Sequence, residues 1–215
     1  MIAIVRMQAQ GNWQNLWNEI VNRKDAMQKA IHGKGQLIYI SKRSQYSEVS
    51  LFIHARDLAA LADCITEQLT SVKEITGLWT ITMLKPVFFP IPENVHEFKR
   101  YSLTLNVFPA QLGNVYNTLK TIELPHGMKM SYLAYTFHLL SDSIMTSVLA
   151  RDESHVTKIA SEIIGKLPGV LKVNTNLVEK TLTLTTQAEW KEYVAKHEIK
   201  QVWDHNLMLQ QFDSK

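Results

Sequence analysis

The sequence predicts an α+β fold made of two copies of one strand–helix–strand–strand–helix–strand unit, followed by a C-terminal helix. Three observations carry this. Short β-branched runs alternate with amphipathic segments in the same six-element order twice. The triplet Ala55-Arg56-Asp57 recurs as Ala150-Arg151-Asp152, an offset of 95 residues. At that offset apolar positions agree: Ile53 with Val148, Leu69 with Ile164, and Ile75 with Val170.

In the first copy, residues 1–7 (Met-Ile-Ala-Ile-Val-Arg-Met) read as a strand. Residues 11–34 carry Trp13, Leu16, Trp17, Ile20, Val21, Met27 and Ile31 near i, i+3, i+4 spacing, an amphipathic helix ended around Gly33 and Gly35. Residues 36–42 and 48–55 read as strands joined by a polar turn, which suits a hairpin. Residues 58–72 form a second helix on the stripe Leu58, Leu61, Ile65, Leu69, Val72, and residues 79–84 form a strand. The second copy places strands at 101–107, 129–140, 144–150 and 170–184, the last with a break near Val178–Lys180. Its helices fall at 110–122 and 153–167.

Each Ala-Arg-Asp closes a strand and sets an aspartate where it caps the next helix's orphan N–H groups. Leu124-Pro125-His126-Gly127 and Leu167-Pro168-Gly169 punctuate helix-to-strand turns, since proline cannot continue a helix and glycine takes φ > 0. The stretch Pro86–Pro92 holds three of the six prolines and reads as an extended apolar strap between the copies, or an arm to a second subunit. Thr186-x-x-Glu189 has capping-box spacing and opens a helix to about Lys200, with Trp190, Val194 and His197 on its inner face. The tail with Trp203, Leu207, Leu209 and Phe212 is apolar enough to pack.

A βαββαβ unit of this length is the ferredoxin-like split βαβ, whose helices cover one face of the sheet and leave the other needing a partner. Two units in one chain supply that partner internally, as a single-chain version of a dimeric α/β barrel. The domains are then 1–92, 93–187 and a C-terminal helix and tail at 188–215.

Composition narrows function. Lys+Arg is 23 against Asp+Glu 20, a net charge of +3 with no basic stripe. At most weak, sequence-independent DNA binding follows, on the order of 10⁻⁴–10⁻⁶ M. One cysteine, Cys64, rules out an intramolecular disulfide framework. The start lacks a signal peptide, and no apolar run approaches the ~20 residues of a membrane helix. A cytoplasmic protein is expected. Eight histidines show no H-x-x-x-H or H-E-x-x-H spacing, so no metal site is expected; His54 and His138 lie in or near strands, where a haem ligand could stand. No phosphate loop, Ser-His-Asp order or paired-carboxylate signature stands out, and no cofactor is expected. Arg56 and Arg151 follow strands at equivalent places, where arginine either clamps a carboxylate bidentately or stands as a solvated charge. Tyr132 and Ala134 line either a cavity or the core.

The run Ser141-Asp142-Ser143-Ile144-Met145, then Ala150-Arg151-Asp152, then Lys166-Leu167-Pro168-Gly169-Val170 resembles the C-terminal half of the ligand-sensing domain of the Lrp/AsnC regulators. That domain is the RAM module, an ACT-like ferredoxin fold, here as a tandem repeat without the family's helix-turn-helix. The resemblance implies a regulatory module that binds a small effector such as an amino acid and acts in transcription through a protein partner or a homo-oligomer. It also implies that the turns holding Ser47 and Glu48, and Ser141, Asp142 and Ser143, frame the effector, with short hydroxyl and carboxylate groups bonding its ammonium. The alternative is a small-molecule enzyme of the dimeric α/β barrel type, haem-dependent or monooxygenase-like. A third reading is an interaction protein whose cavity is filled.

Overall fold

The computed structural model describes residues 1–197, apart from 32, 45, 46, 93 and 138–143. Its strands are β1 (Ile2–Ala9), β2 (Gly35–Arg43), β3 (Glu48–Ala55), β4 (Ile75–Phe88), β5 (Lys99–Val107), β6 (Lys129–Phe137), β7 (Ile144–Ala150) and β8 (Val170–Thr183). Its α-helices are α1 (Trp13–Asn22), α2 (Lys24–Ala30), α3 (Leu58–Cys64), α4 (Leu112–Thr121), α5 (Glu153–Glu162) and α6 (Gln187–Lys196). The class is α+β with antiparallel pairing. Among the described residues no helix is long and apolar enough to cross a membrane.

The chain divides into two compact units. One comprises Met1–Thr82 and the segment that begins at Glu179; the other comprises Met83–Val178. Both boundaries fall inside long strands, so β4 and β8 each give one part to either unit.

In the first unit the strand order is β4-β1-β3-β2-β8. Alternation sends Ala3, Val5 and Met7 of β1 and Val49, Leu51 and Ile53 of β3 to one face. There they join Leu16, Trp17 and Ile20 of α1, Met27 of α2, and Leu61 and Cys64 of α3 in one core. Asn12 caps α1, its side chain accepting from the Gln14 N–H at 2.8 Å.

In the second unit the order is β8-β5-β7-β6-β4. Tyr101, Leu103, Leu105 and Val107 of β5 pack with Val115, Tyr116 and Leu119 of α4 and Val156 and Ile159 of α5. Asp57 and Asp152 are the N-caps of α3 and α5, accepting from the N–H groups of Ala60 and Ser154, both at 2.8 Å. Each bonded backbone N–H holds its carboxyl below the usual carboxylate range.

Several element expectations change. The single helix over 11–34 is two helices, broken where Arg23 leaves helical geometry with ψ at 0°. The helix over 58–72 ends at Cys64 and widens into a π-turn over Ile65–Leu69, with the Thr70 N–H bonded to the Ile65 carbonyl. The strand placed at 79–84 runs over Ile75–Phe88, so Pro86 belongs to a strand rather than to a free strap. β8 is continuous through Val178–Lys180. The capping box of α6 forms as the spacing predicts, but Tyr193 joins Trp190 in its buried face while Val194 is only half-buried. The expected strand end at 138–140 and the C-terminal tail lie outside the described residues.

Candidate functional site

The chemistry of the second unit's sheet sits on the face that carries no helices. Tyr101, Leu103, Leu105 and Val107 go to the core, so alternation sends Arg100, Ser102, Thr104 and Asn106 to the opposite face. Register extends that face sideways. Ser102 stands opposite Ser147 of β7 and Asn176 of β8; Thr104 stands opposite Met145 and Asn174. A register shift in β6 between Met130 and Tyr132 leaves Ser131 without a partner in β7, keeps Met130 in the core and sets Tyr132 opposite Ser147. The result is a row Tyr132–Ser147–Ser102–Asn176, beside a row Ala134–Met145–Thr104–Asn174.

Polar residues on an antiparallel sheet's second face usually meet water. These do not: Ser102, Thr104, Ser147 and Asn176 are 7%, 6%, 1% and 5% exposed. Two of their buried atoms, Ser147 Oγ and Asn176 Oδ1, make no hydrogen bond. Such orphaned groups are rare, because each costs about 1–3 kcal/mol when left unmade. On the β6 side the face turns apolar, with Ala134 and Met145, and Phe88 of β4 lying 6.3 Å from the Tyr132 ring between centroids. Arg100, further along β5, donates from Nη1 to Ser131 Oγ at 3.2 Å. The face thus joins hydroxyl and amide groups, an aromatic wall and a cation.

The first unit's helix-free face carries an aromatic stack and a buried ion pair. Tyr39 stacks on Phe52 with centroids 4.7 Å apart, and Arg43 bonds Glu48 at 2.5 Å with both side chains buried. At the other end of β3, His54 Nδ1 lies 3.2 Å from the Tyr193 hydroxyl, and Trp190 meets its ring edge-on at 5.4 Å. Burial pushes the Tyr193 phenol up to about 12, so at neutral pH it stays protonated and serves to dock α6.

The sequence-predicted site residues are scattered. Ser47 is exposed, and its carbonyl accepts from the Ala9 N–H at 2.7 Å. Glu48 is buried and committed to Arg43. Arg56, at the far end of β3 from Glu48, is exposed and pairs with Asp57 at 3.0 Å. Arg151 is exposed, pairs with Glu97 and lies over the Phe98 ring at 5.1 Å. None of these four belongs to the Ser147–Asn176 row, and Ser141, Asp142 and Ser143 lie outside the described residues. Cys64 is buried, its thiol pushed up to about 11 by burial, which removes its nucleophilicity at neutral pH. The sequence reading does not single out Ser102, Ser147 or Asn176 as site residues. The legible signal was strict apolar–polar alternation along Tyr101–Val107.

Haem chemistry needs an axial ligand, commonly an imidazole nitrogen directed at open space. Among the described residues the second unit's strands carry no histidine; His126 and His155 lie off the sheet, stacked on each other at 4.2 Å. In the first unit His54 is held by Tyr193 and Trp190. The second unit's described strands therefore supply no imidazole for haem, and His138 lies outside the described residues. Nor do they hold a cluster of three metal-ligating side chains.

With this geometry in hand, solved structures place the fold. The chain folds like dimeric α/β barrel proteins. An anthrone oxidase-like protein matches over 86% of this chain and 94% of its own, with a TM-score of 0.57 and 10% identity. A monooxygenase-like protein from Fusobacterium nucleatum covers 85% and 93%, with a TM-score of 0.52 and 10% identity. A mutant chlorite dismutase from Candidatus Nitrospira defluvii covers 92% and 96%, with a TM-score of 0.52 and 11% identity. No protein-family model and no curated protein sequence matches the chain.

These neighbours overturn the resemblance to Lrp/AsnC sensor domains, and the reading as a transcription regulator falls with it. The physical reason is local. Leu167-Pro168-Gly169-Val170 is demanded by its turn: proline stops the helix, and Gly169 takes φ +93° with the Gln111 side chain pressed where a Cβ would stand. A turn of that chemistry marks the helix-to-strand junction of a split βαβ unit, whatever the unit does.

Proposed function

We propose that the chain is a small-molecule oxidoreductase, monooxygenase-like, that binds its substrate on the helix-free face of Met83–Val178. The observation that carries this is the pair of buried polar atoms without partners, Ser147 Oγ and Asn176 Oδ1, on a face that register makes continuous. A protein interior tolerates such atoms where a ligand or ordered water completes them. The oxidising chemistry is taken from the fold neighbours, one named anthrone oxidase-like and another monooxygenase-like, which supports the reading by analogy of fold.

The residues suit a reaction in which the substrate is its own reductant. The described face offers no carboxylate or imidazole as a strong base. It offers the Arg100 guanidinium, which stabilises an anion formed on an electron-rich ring. The balanced outcome is oxidation of an activated ring CH₂ to C=O, with one atom of dioxygen entering the substrate and the other leaving as water. We also read the two units as tandem ferredoxin-like copies, on the strength of the offset of 95 and the matching aspartate caps.

The test is oxygen uptake by the purified chain against a panel of anthrone-type substrates, each carrying the activated ring CH₂. Uptake that needs enzyme, persists with chelator and falls at least about tenfold in Arg100→Met, the loss of roughly one charge-assisted contact, supports the reading. Absence of uptake across the panel, or an Arg100→Met enzyme as active as the parent, overturns it.

A further inference from the structure

We infer that the groove between α5 and β8 is the contact surface for a second copy of this chain, each copy seating its Leu171 in the other's groove. The inference goes beyond the functional reading and does not depend on it.

Register puts Leu171 outside. Asn106 of β5 pairs with Lys172 of β8 and Val107 pairs with Val170, so the bulge between them leaves Leu171 without a partner in β5. Val170 packs against the core, whereas Leu171 is 65% exposed. Phe108, 55% exposed, stands at the same end of the sheet, its N–H donating to the Gly169 carbonyl at 2.7 Å. Large apolar side chains held out of the core at one place mark an interaction surface.

Beside that knob lies a hole. Leu171 helps to line a groove of about 310 Å³ with Ala160, Gly165 and Val170. Small residues keep it open. Thr157, Ala160 and Ser161 share one face of α5, and a Cβ on Gly165 would meet the Ala160 carbonyl oxygen at 2.6 Å. The Thr157 and Ser161 hydroxyls donate to the Glu153 and Thr157 carbonyls at 3.1 and 3.0 Å, so both are spent within the helix. Few polar groups remain to fix a small molecule, and the groove suits a branched aliphatic side chain.

A knob and a hole side by side meet the condition for a two-fold contact, in which one patch must fit itself. Charge meets the same condition. Lys158 and Glu162 on α5 and Lys172 on β8 are exposed around the groove, and among the described residues none of the three is in an ion pair. A patch of one sign would repel its own copy across the axis; this patch carries both.

A small patch gives a weak interface, so the test is sedimentation velocity of the full chain over about 1–200 μM, with melting temperatures to show that each variant is folded. The parent is expected to pass reversibly from monomer to dimer. Leu171→Asp charges the knob and Ser161→Arg fills the hole from its exposed rim; each alone should weaken the dimer about tenfold or more. Mixing the two variants restores one intact knob for one intact hole and brings the introduced carboxylate to the introduced guanidinium. The mixed dimer is therefore expected to be about tenfold or more tighter than either variant with itself. A parent that stays monomeric throughout overturns the inference. A dimer that survives in both single variants places the contact elsewhere and overturns it too. Variants that remain monomeric on mixing overturn the reciprocal pairing.

Discussion

Replacing Ser147 by alanine should stabilise the protein while weakening ligand binding. The hydroxyl sits on β7, 1% exposed, with Oγ unbonded. Deleting it removes a group whose burial without a partner costs about 1–3 kcal/mol. The void left is a single oxygen, about 10 Å³, and at about 24 cal/mol per Å³ its cost is only ~0.2 kcal/mol. Alanine lowers β-propensity slightly at a central strand, by a few tenths of a kcal/mol at most on a scale spanning ~1 kcal/mol. The sum is a gain of about 0.5–2.5 kcal/mol, which for a chain of this size raises Tm by about 2–4 °C per kcal/mol. Thermal melting and urea unfolding of parent and variant read this directly, with an unchanged urea slope showing that the unfolded state was not altered. A lower Tm in Ser147→Ala would mean that the hydroxyl is already bonded, to an ordered water or otherwise. The unbonded hydroxyl would then no longer mark this face as a ligand site.

Two further outcomes follow from other groups. Glu48→Ala should destabilise by about 3–5 kcal/mol, because it removes the carboxylate that pairs with the buried Arg43 guanidinium, whereas replacing both by apolar residues of similar size should cost much less; urea unfolding of the single and double variants checks this. Asp152 is held below its ordinary carboxylate range by the Ser154 N–H, so its cap on α5 contributes fully above about pH 4 and is lost as pH falls through the lowered folded value. Asp152→Asn keeps a capping oxygen that does not titrate, and circular dichroism between roughly pH 4 and pH 2 should show a flatter loss of helix in that variant; equal slopes would remove the cap from the acid response.

Much of the element order was legible because the physics that sets it is local. Asp57 and Asp152 cap helices since a short carboxylate reaches the next N–H groups whatever the tertiary context. Gly169 turns the chain since only glycine takes that φ easily. The elements that differ are those that tertiary packing decides. A helix stripe from Leu58 to Val72 reads as one period, yet the π-turn at Ile65–Leu69 inserts an extra residue per turn that no periodicity announces. The length of β4 was hidden by Pro86. Proline lowers strand propensity, and β4 accommodates it near the strand's end, where its missing N–H costs little.

The site was hidden for a different reason. A serine in a strand reads as solvated until something covers it, and the alternation Tyr101-Ser102-Leu103-Thr104-Leu105-Asn106-Val107 looks like an ordinary half-exposed strand. Only register reveals that Ser102 is flanked by Ser147 and Asn176, residues from strands far apart in sequence, and only burial reveals that the row is dry. The residues that sequence did single out, Arg56 and Arg151, are conspicuous because charge is conspicuous. Each is exposed and already paired with a neighbouring carboxylate, so an approaching anion would have to displace that partner in full solvent, where such pairs are worth about 1 kcal/mol or less. An uncharged hydroxyl or amide withdrawn from water loses more when left unpaired than a surface ion pair gains. In this fold the weaker-looking side chains are therefore the better candidates for a site than the conspicuous arginines.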